Sequence, residues 1–128
     1  MIYLDSSVVL AYLFGETRGP DAELFDAPVV SSRLLEYEVW NRVNARGLTV
    51  SHGDAAHALL QRVALLELAQ PILYRALTPF PIAVRTLGAL HLASIAYLRD
   101  QQQSVSLASY DTRMLHAAQT MRIPIVTL

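Results

Sequence analysis

Ile2-Tyr3-Leu4-Asp5-Ser6-Ser7-Val8-Val9-Leu10-Ala11-Tyr12-Leu13 decides how the rest of the chain is read. Three apolar residues make a short strand, the strand stops at a carboxylate, and two hydroxyl residues open an apolar helix. Strand, acid and helix in that order belong to an α/β unit. In an open parallel sheet, ligands settle in the crevice beyond the carboxyl ends of the strands. Asp5 is therefore a candidate for chemistry. The competing reading is structural, since Asp and Ser are preferred helix caps and Asp5 has a helix behind it. What else converges on the same place decides between them.

The same punctuation continues along the chain. After a loop from Phe14, Pro20 suits the first turn of a short helix through Ala22, Leu24 and Phe25. Pro28 to Ser31 reads as a second buried strand ending in Ser31-Ser32, followed by a helix from Leu34 to Ala45 that stops at Gly47. Ser51 and Asp54 form a capping signal for a helix from Asp54 to about Glu67. Pro71 starts a short helix, Ile72 to Leu77, which Thr78-Pro79-Phe80-Pro81 breaks. Thr86 to Leu98 is apolar on nearly every face, as expected of a helix buried against a sheet. Ser104 to Ser109 predicts a strand, Thr112 to about Met121 a helix, and Ile123 to Val126 a final edge strand that tolerates Pro124. Alternation of this kind implies a single α/β domain over residues 1–128, with a central parallel sheet covered on both faces.

Composition narrows the chemistry. Hydrophobic residues make up 53% of the chain and charged residues 16%, against a usual charged share of about 25%, so apolar surface is left for a partner or a second copy. No apolar run is long enough to span a bilayer and no leader pattern opens the chain, which fits a cytoplasmic protein. Cysteine is absent, which excludes disulfides and thiolate chemistry. All ten basic residues are Arg, which excludes mechanisms that need a lysine. The net charge of −1 provides no general attraction for nucleic acid, so any such contact must come from a local Arg cluster or a bound metal.

Two further acids repeat the logic of Asp5. Asp111 follows the strand Val105-Ser106-Leu107-Ala108 and precedes a helix, and Glu38 lies one turn into the helix after the second strand. Each has a plain alternative, a cap for Asp111 and a solvated helix position for Glu38. Glu36 and Glu38 project about 200° apart on a helix and cannot share one site. Three separate strand-to-helix transitions nevertheless deliver acids near one edge of the sheet. Oxygen ligands without cysteine suit Mg²⁺ or Mn²⁺, which are held by a few carboxylates together with water and substrate phosphate.

These residues resemble the PIN-domain ribonucleases, specifically the VapC-type toxins of type II toxin–antitoxin systems. The resemblance spans essentially the whole chain. It rests on Ile2-Tyr3-Leu4-Asp5-Ser6-Ser7, Ser31-Ser32-Arg33-Leu34-Leu35-Glu36-Tyr37-Glu38, Arg85-Thr86-Leu87-Gly88-Ala89-Leu90-His91-Leu92-Ala93 and Ala108-Ser109-Tyr110-Asp111-Thr112-Arg113-Met114-Leu115. It implies a three-layer α/β/α PIN-like domain, with Asp5, Glu38 and Asp111 as catalytic and metal-site carboxylates. The implied activity is metal-dependent endoribonuclease cleavage leaving 5′-phosphate and 3′-hydroxyl ends. The implied partners are an RNA substrate and a cognate antitoxin that blocks the acidic pocket, while the low charge and high apolarity point to a homodimer.

One position departs from the pattern. The family ordinarily carries an acid where this chain has Gly88, and glycine inside a helix costs roughly 1 kcal/mol relative to Ala. A degenerate copy, an acid replaced to make a toxic protein tolerable, and a glycine needed for close helix approach are the three explanations. The first two predict weakened metal binding and attenuated cleavage, or a PIN-fold protein that binds antitoxin or RNA without cutting.

The remaining polar residues divide similarly. Ser6 and Ser7 are placed to orient Asp5 or to cap, and His91 reads as core-facing. Arg33, Arg85 and Arg113 sit beside the acidic blocks and suit bidentate phosphate contact, contact with the acids themselves, or ordinary solvation. Tyr37 and Trp40 are spaced for a core or interface stripe, with base stacking as the alternative. A phosphatase or phospho-acceptor using Asp5 shares the opening motif but normally needs a lysine. Its aspartyl-phosphatase form also needs an acid where Ser7 stands.

Overall fold

The computed structural model describes residues 1–128. Its centre is a four-stranded parallel sheet in the order β3-β2-β1-β4, formed by β1 (Ile2–Leu4), β2 (Val29–Ser32), β3 (Ala64–Leu66) and β4 (Ser106–Ala108). Six helices flank it: α1 (Ser6–Leu13), α2 (Leu34–Ala45), α3 (Thr49–Gln61), α4 (Gln70–Ala76), α5 (Thr86–Asp100) and α6 (Thr112–Thr120). The chain steps outward from β1 to β2 to β3, then crosses back to place β4 on the other side of β1. The carboxyl ends of β1 and β4 thus meet at the reversal point of the strand order, where such sheets open a crevice.

Side chains alternate across a strand, and this alternation builds two cores. Leu4, Val29 and Ala108 join α1, α2 and α3 residues such as Val8, Leu35, Val39 and Leu59 in one cluster. Tyr3, Val30 and Leu107 join α5 and α6 residues such as Leu92, Ile95, Met114 and Ala117 in the other. Register matches this division: Tyr3 lies beside Val30 and Leu107, and Leu4 beside Ala108. A sheet with a core on each face is a three-layer α/β/α domain, as expected from the alternation of elements.

The α2 bounds agree with expectation, because Gly47 at φ +67° ends the helix as a left-handed residue. Its N–H donates to Asn44 O and that of Leu48 to Val43 O, which satisfies the last carbonyls. Two expectations are corrected downstream. Helix α3 starts at Thr49, so Ser51 and Asp54 lie inside it, and Ser51 Oγ donates to Leu48 O at 3.3 Å. Residues 64–66, read as the end of that helix, form the edge strand β3 and pair with Val30, Ser31 and Ser32. A short apolar run has no periodicity to distinguish strand from helix, and pairing with β2 decides it. The first short helix is a 3₁₀ turn, Ala22–Asp26, with Pro20 outside it. The expected final strand reduces to one bridge, Leu107 to Ile125, flanking the Pro124 that cannot donate.

A candidate active-site cavity

Asp5 occupies the N-terminal cap position of α1 but does not cap it. Its backbone is extended and its side chain bonds no helix N–H. Instead, Oδ2 accepts from Ser7 Oγ at 2.7 Å and from Ser109 Oγ at 2.8 Å. The residue is 5% exposed, yet the one buried side-chain polar atom without a partner anywhere in the chain is the Tyr110 hydroxyl. Asp5 Oδ1, which has no protein partner, is therefore not sealed from the space beside it.

That space is a cavity of about 530 Å³ at the carboxyl edge of the sheet. Asp5, Glu38 and Asp111 all line it, with Ser6, Ser7, Arg85, Gly88 and His91. The three acids thus line one cavity from the end of β1, from α2 and from the start of α6 after β4. Asp111 keeps its alternative role as well: Oδ1 accepts from the N–H groups of Arg113 at 3.0 Å and Met114 at 3.2 Å, capping α6. Its Oδ2 has no protein partner.

Glu38 is held from two sides. Ser6 Oγ donates to Oε2 at 3.1 Å, and His91 Nε2 lies 2.5 Å from Oε1. His91 is buried, and its Nδ1 lies 2.7 Å from the Tyr3 hydroxyl. Burial pushes the Tyr3 hydroxyl well above the usual phenol range, and the charge of Glu38 adds to this. Tyr3 therefore remains an O–H. When it donates to Nδ1, the proton of the imidazole faces Glu38 from Nε2. The result is an unbroken chain from the core, Tyr3 to His91 to Glu38.

The donor set fits a hard cation. Every available ligand is oxygen, and Asp5 and Asp111 each present an unpartnered carboxylate oxygen. No group of three or more acidic or histidine side chains is close enough together to hold a metal ion by itself. Such a site suits an ion that keeps several waters and takes one or two carboxylates plus phosphate, which is the habit of Mg²⁺.

Gly88 lies on α5 facing this cavity. A Cβ built there would meet Val84 Cβ at 3.8 Å and Met114 Cε at 3.9 Å, which is ordinary contact. Close helix approach is therefore not the reason for glycine. Arg33 also departs from expectation: it lies away from the cavity and pairs with Glu67 at 2.6 Å, holding that carboxyl below its usual range. Tyr37 is 66% exposed, so it is not a core residue.

Ser109, and the roles of Tyr3 and His91 as partners of the acids, emerge only from the folded chain. Ser109 had a signal, because Ser6-Ser7, Ser31-Ser32 and Ser109 each follow or close a central strand. His91 looked like a core histidine and is one, but with both ring nitrogens engaged.

A family model described as the PIN domain matches residues 2–119. Ribonuclease VapC47 of Mycobacterium tuberculosis (strain CDC 1551 / Oshkosh) is 28% identical over 122 residues, covering 90% of this chain and 88% of that protein.

Proposed function

This chain belongs to the PIN-domain family, and on that premise we propose that it is an endoribonuclease toxin of the VapC type, dependent on Mg²⁺ or Mn²⁺ and attenuated by Gly88. The observation that carries the reading is the convergence of Asp5, Glu38 and Asp111 on one cavity where the strand order reverses. Likeness to a ribonuclease over nine-tenths of the chain supports it.

Asp5 and Asp111 would hold the ion through their unpartnered oxygens. When bound, the ion supplies a more acidic water and shields charge on the phosphodiester. The protein's own contribution is positioning. Ser7 and Ser109 fix one oxygen of Asp5 and leave the other free. Ser6 and His91 fix Glu38, so its carboxylate is set at the cavity wall rather than left to rotate. An acid at position 88 would add a fourth carboxylate to the same wall. The reading includes a cytoplasmic setting, a cognate antitoxin that blocks the acidic cavity, and a homodimer.

A second reading, a PIN-fold protein that binds antitoxin or RNA without cutting, is favoured by Gly88 itself. The position faces the cavity, has room for a side chain and carries none. One assay separates the two. RNA cleavage is followed in Mg²⁺ or Mn²⁺, with and without chelator, for the natural chain, Gly88→Asp and the double variant Asp5→Asn/Gly88→Asp. Gly88→Asp is expected to cut at least about tenfold faster than the natural chain, on the scale of one electrostatic contact in a catalytic site. Chelator and Asp5→Asn are both expected to abolish the gain. Equal rates for the natural chain and Gly88→Asp would remove attenuation from the reading, and cleavage in chelator would remove the metal. A natural chain that binds RNA but cuts none in either metal would favour the second reading.

A further inference from the structure

The connection that leaves α1 runs out to solvent and folds straight back. Gly15 turns it in the left-handed region at φ +62°, which glycine adopts without a Cβ penalty. Gly19 closes it. A Cβ there would stand 3.0 Å from the Glu16 carbonyl oxygen and 3.1 Å from that of Ala11, too close against backbone that cannot swing aside. Two hydrogen bonds tie the segment down, from Glu16 N–H to Ala11 O and from Gly19 N–H to Glu16 O, each at 2.9 Å. Glu16, Thr17 and Arg18 between the glycines are exposed. Residues 14–20 line no part of the acidic cavity.

What the segment covers is Tyr110. Arg18 lays its guanidinium over the Tyr110 ring, 4.8 Å from the ring centre, and Tyr110 packs against the core on the α1 side of the sheet. The Tyr110 hydroxyl is buried with no protein atom to bond. A buried hydroxyl left unpaired forfeits the hydrogen bonds it would make in water. The closed arrangement therefore works against itself, because lifting Arg18 away wets the hydroxyl and recovers that loss. Little opposes the motion. The Arg18–Glu16 pair at 3.7 Å lies in solvent, where such pairs contribute little. Exposed segments with few buried contacts are those that open locally while the rest of a fold stays shut.

Tyr110 reaches Asp5 through its backbone. Its N–H donates to Ser7 Oγ at 2.9 Å, and Ser7 Oγ donates to Asp5 Oδ2 at 2.7 Å. The residues on either side of Tyr110 are tied to the same carboxylate: Ser109 Oγ donates to Asp5 Oδ2 at 2.8 Å and accepts from Asp111 N–H at 2.9 Å. We propose that residues 14–20 are a latch on Tyr110, and that opening the latch loosens both hydroxyls that hold Asp5. The latch stands on its own contacts. Its bearing on cleavage rests on the nuclease reading above and adds to it a control point outside the cavity.

Amide hydrogen exchange on the intact chain tests the latch. The amides at positions 16, 19 and 110 are expected to exchange through one shared opening, with closely similar protection. Arg18→Ala is expected to lower all three about two- to fivefold, the strength of an exposed cation–π contact. Gly19→Ala, which forces the segment off the Ala11 and Glu16 carbonyls, is expected to lower them further. Tyr110→Phe, which removes the unpaired hydroxyl, is expected to raise them about tenfold. The Arg122 amide, bonded to Gln119 O at the far end of α6, is expected to keep its protection in all three variants. An amide at position 110 unmoved by Arg18→Ala and Gly19→Ala, or protection that falls in Tyr110→Phe, would overturn the latch. In the Gly88→Asp chain, Gly19→Ala is expected to lower kcat about tenfold with KM for RNA unchanged, as loosening a group behind a site carboxylate does. An unchanged kcat would overturn the link to Asp5. A Gly88→Asp chain that cuts no RNA in Mg²⁺ or Mn²⁺ would instead count against the nuclease reading, and exchange would still decide the latch.

Discussion

At the scale of single residues, Tyr3 has the clearest electrostatic consequence. Its hydroxyl is buried against His91, and burial pushes its ionisation above the ordinary phenol range. The unfolded chain releases the same proton near about pH 10. Between that pH and the folded value, the folded state binds the extra proton, so stability is full below about pH 10 and falls above it. One such group gives a slope of about 1.4 kcal/mol per pH unit. Denaturant titrations from about pH 9 to 11 are expected to show this fall in the natural chain and to show it reduced by one proton's worth in Tyr3→Phe. At neutral pH the variant is expected to lose about 1 kcal/mol, the ordinary net worth of one hydrogen bond. If both proteins lose stability identically on the alkaline side, Tyr3 is not the group responsible. The same contact gives Glu38 its fixed setting, because Tyr3 and Ser6 act on it from opposite sides, one through His91 and one directly.

At the scale of elements, α5 carries an avoidable weakness. Gly88 sits in its first turn with space for a Cβ and without a left-handed backbone angle. Gly88→Ala is therefore expected to raise stability by about 1 kcal/mol at most. That corresponds to a melting temperature about 3–6 °C higher for a domain of this size, measured by circular dichroism. A fall in melting temperature would mean that the glycine serves packing after all. Why this element was readable from sequence, and others less so, has a local cause. Helix α5 is a long apolar segment after a proline-rich loop, and α2 ends at Gly47, which adopts its left-handed backbone angle without the Cβ penalty. Strand β3 and the start of α3 have no such marks, because Ala64-Leu65-Leu66 becomes a strand only through its register with β2. The site divides in the same way. Asp5 and Asp111 were legible because each ends a strand and precedes a helix. Ser109 reaches Asp5 across 104 residues and His91 reaches Glu38 across 53, and no local pattern encodes such meetings.

At the scale of the molecule, the low charge share finds an outlet in an apolar groove of about 730 Å³ between α4 and α5. Leu73, Leu77, Phe80 and Ile82 line it, and Leu77 is 82% exposed. Leu77, the most exposed of them, forfeits up to roughly 1.5–3 kcal/mol in water, which a second copy or a partner helix recovers by covering it. The homodimer in the proposed reading is best tested here. Leu73→Asp/Leu77→Asp places two charges on positions already exposed in the single chain, so the fold is expected to persist by circular dichroism. Light scattering is expected to give twice the chain mass for the natural protein and the single mass for the variant. A natural dimer that the variant leaves intact would move the interface elsewhere. A natural chain of single mass would reserve the groove for the antitoxin, in which case the same two charges are expected to abolish antitoxin capture while leaving Mg²⁺-dependent cutting by the Gly88→Asp chain unchanged, since neither leucine lines the acidic cavity.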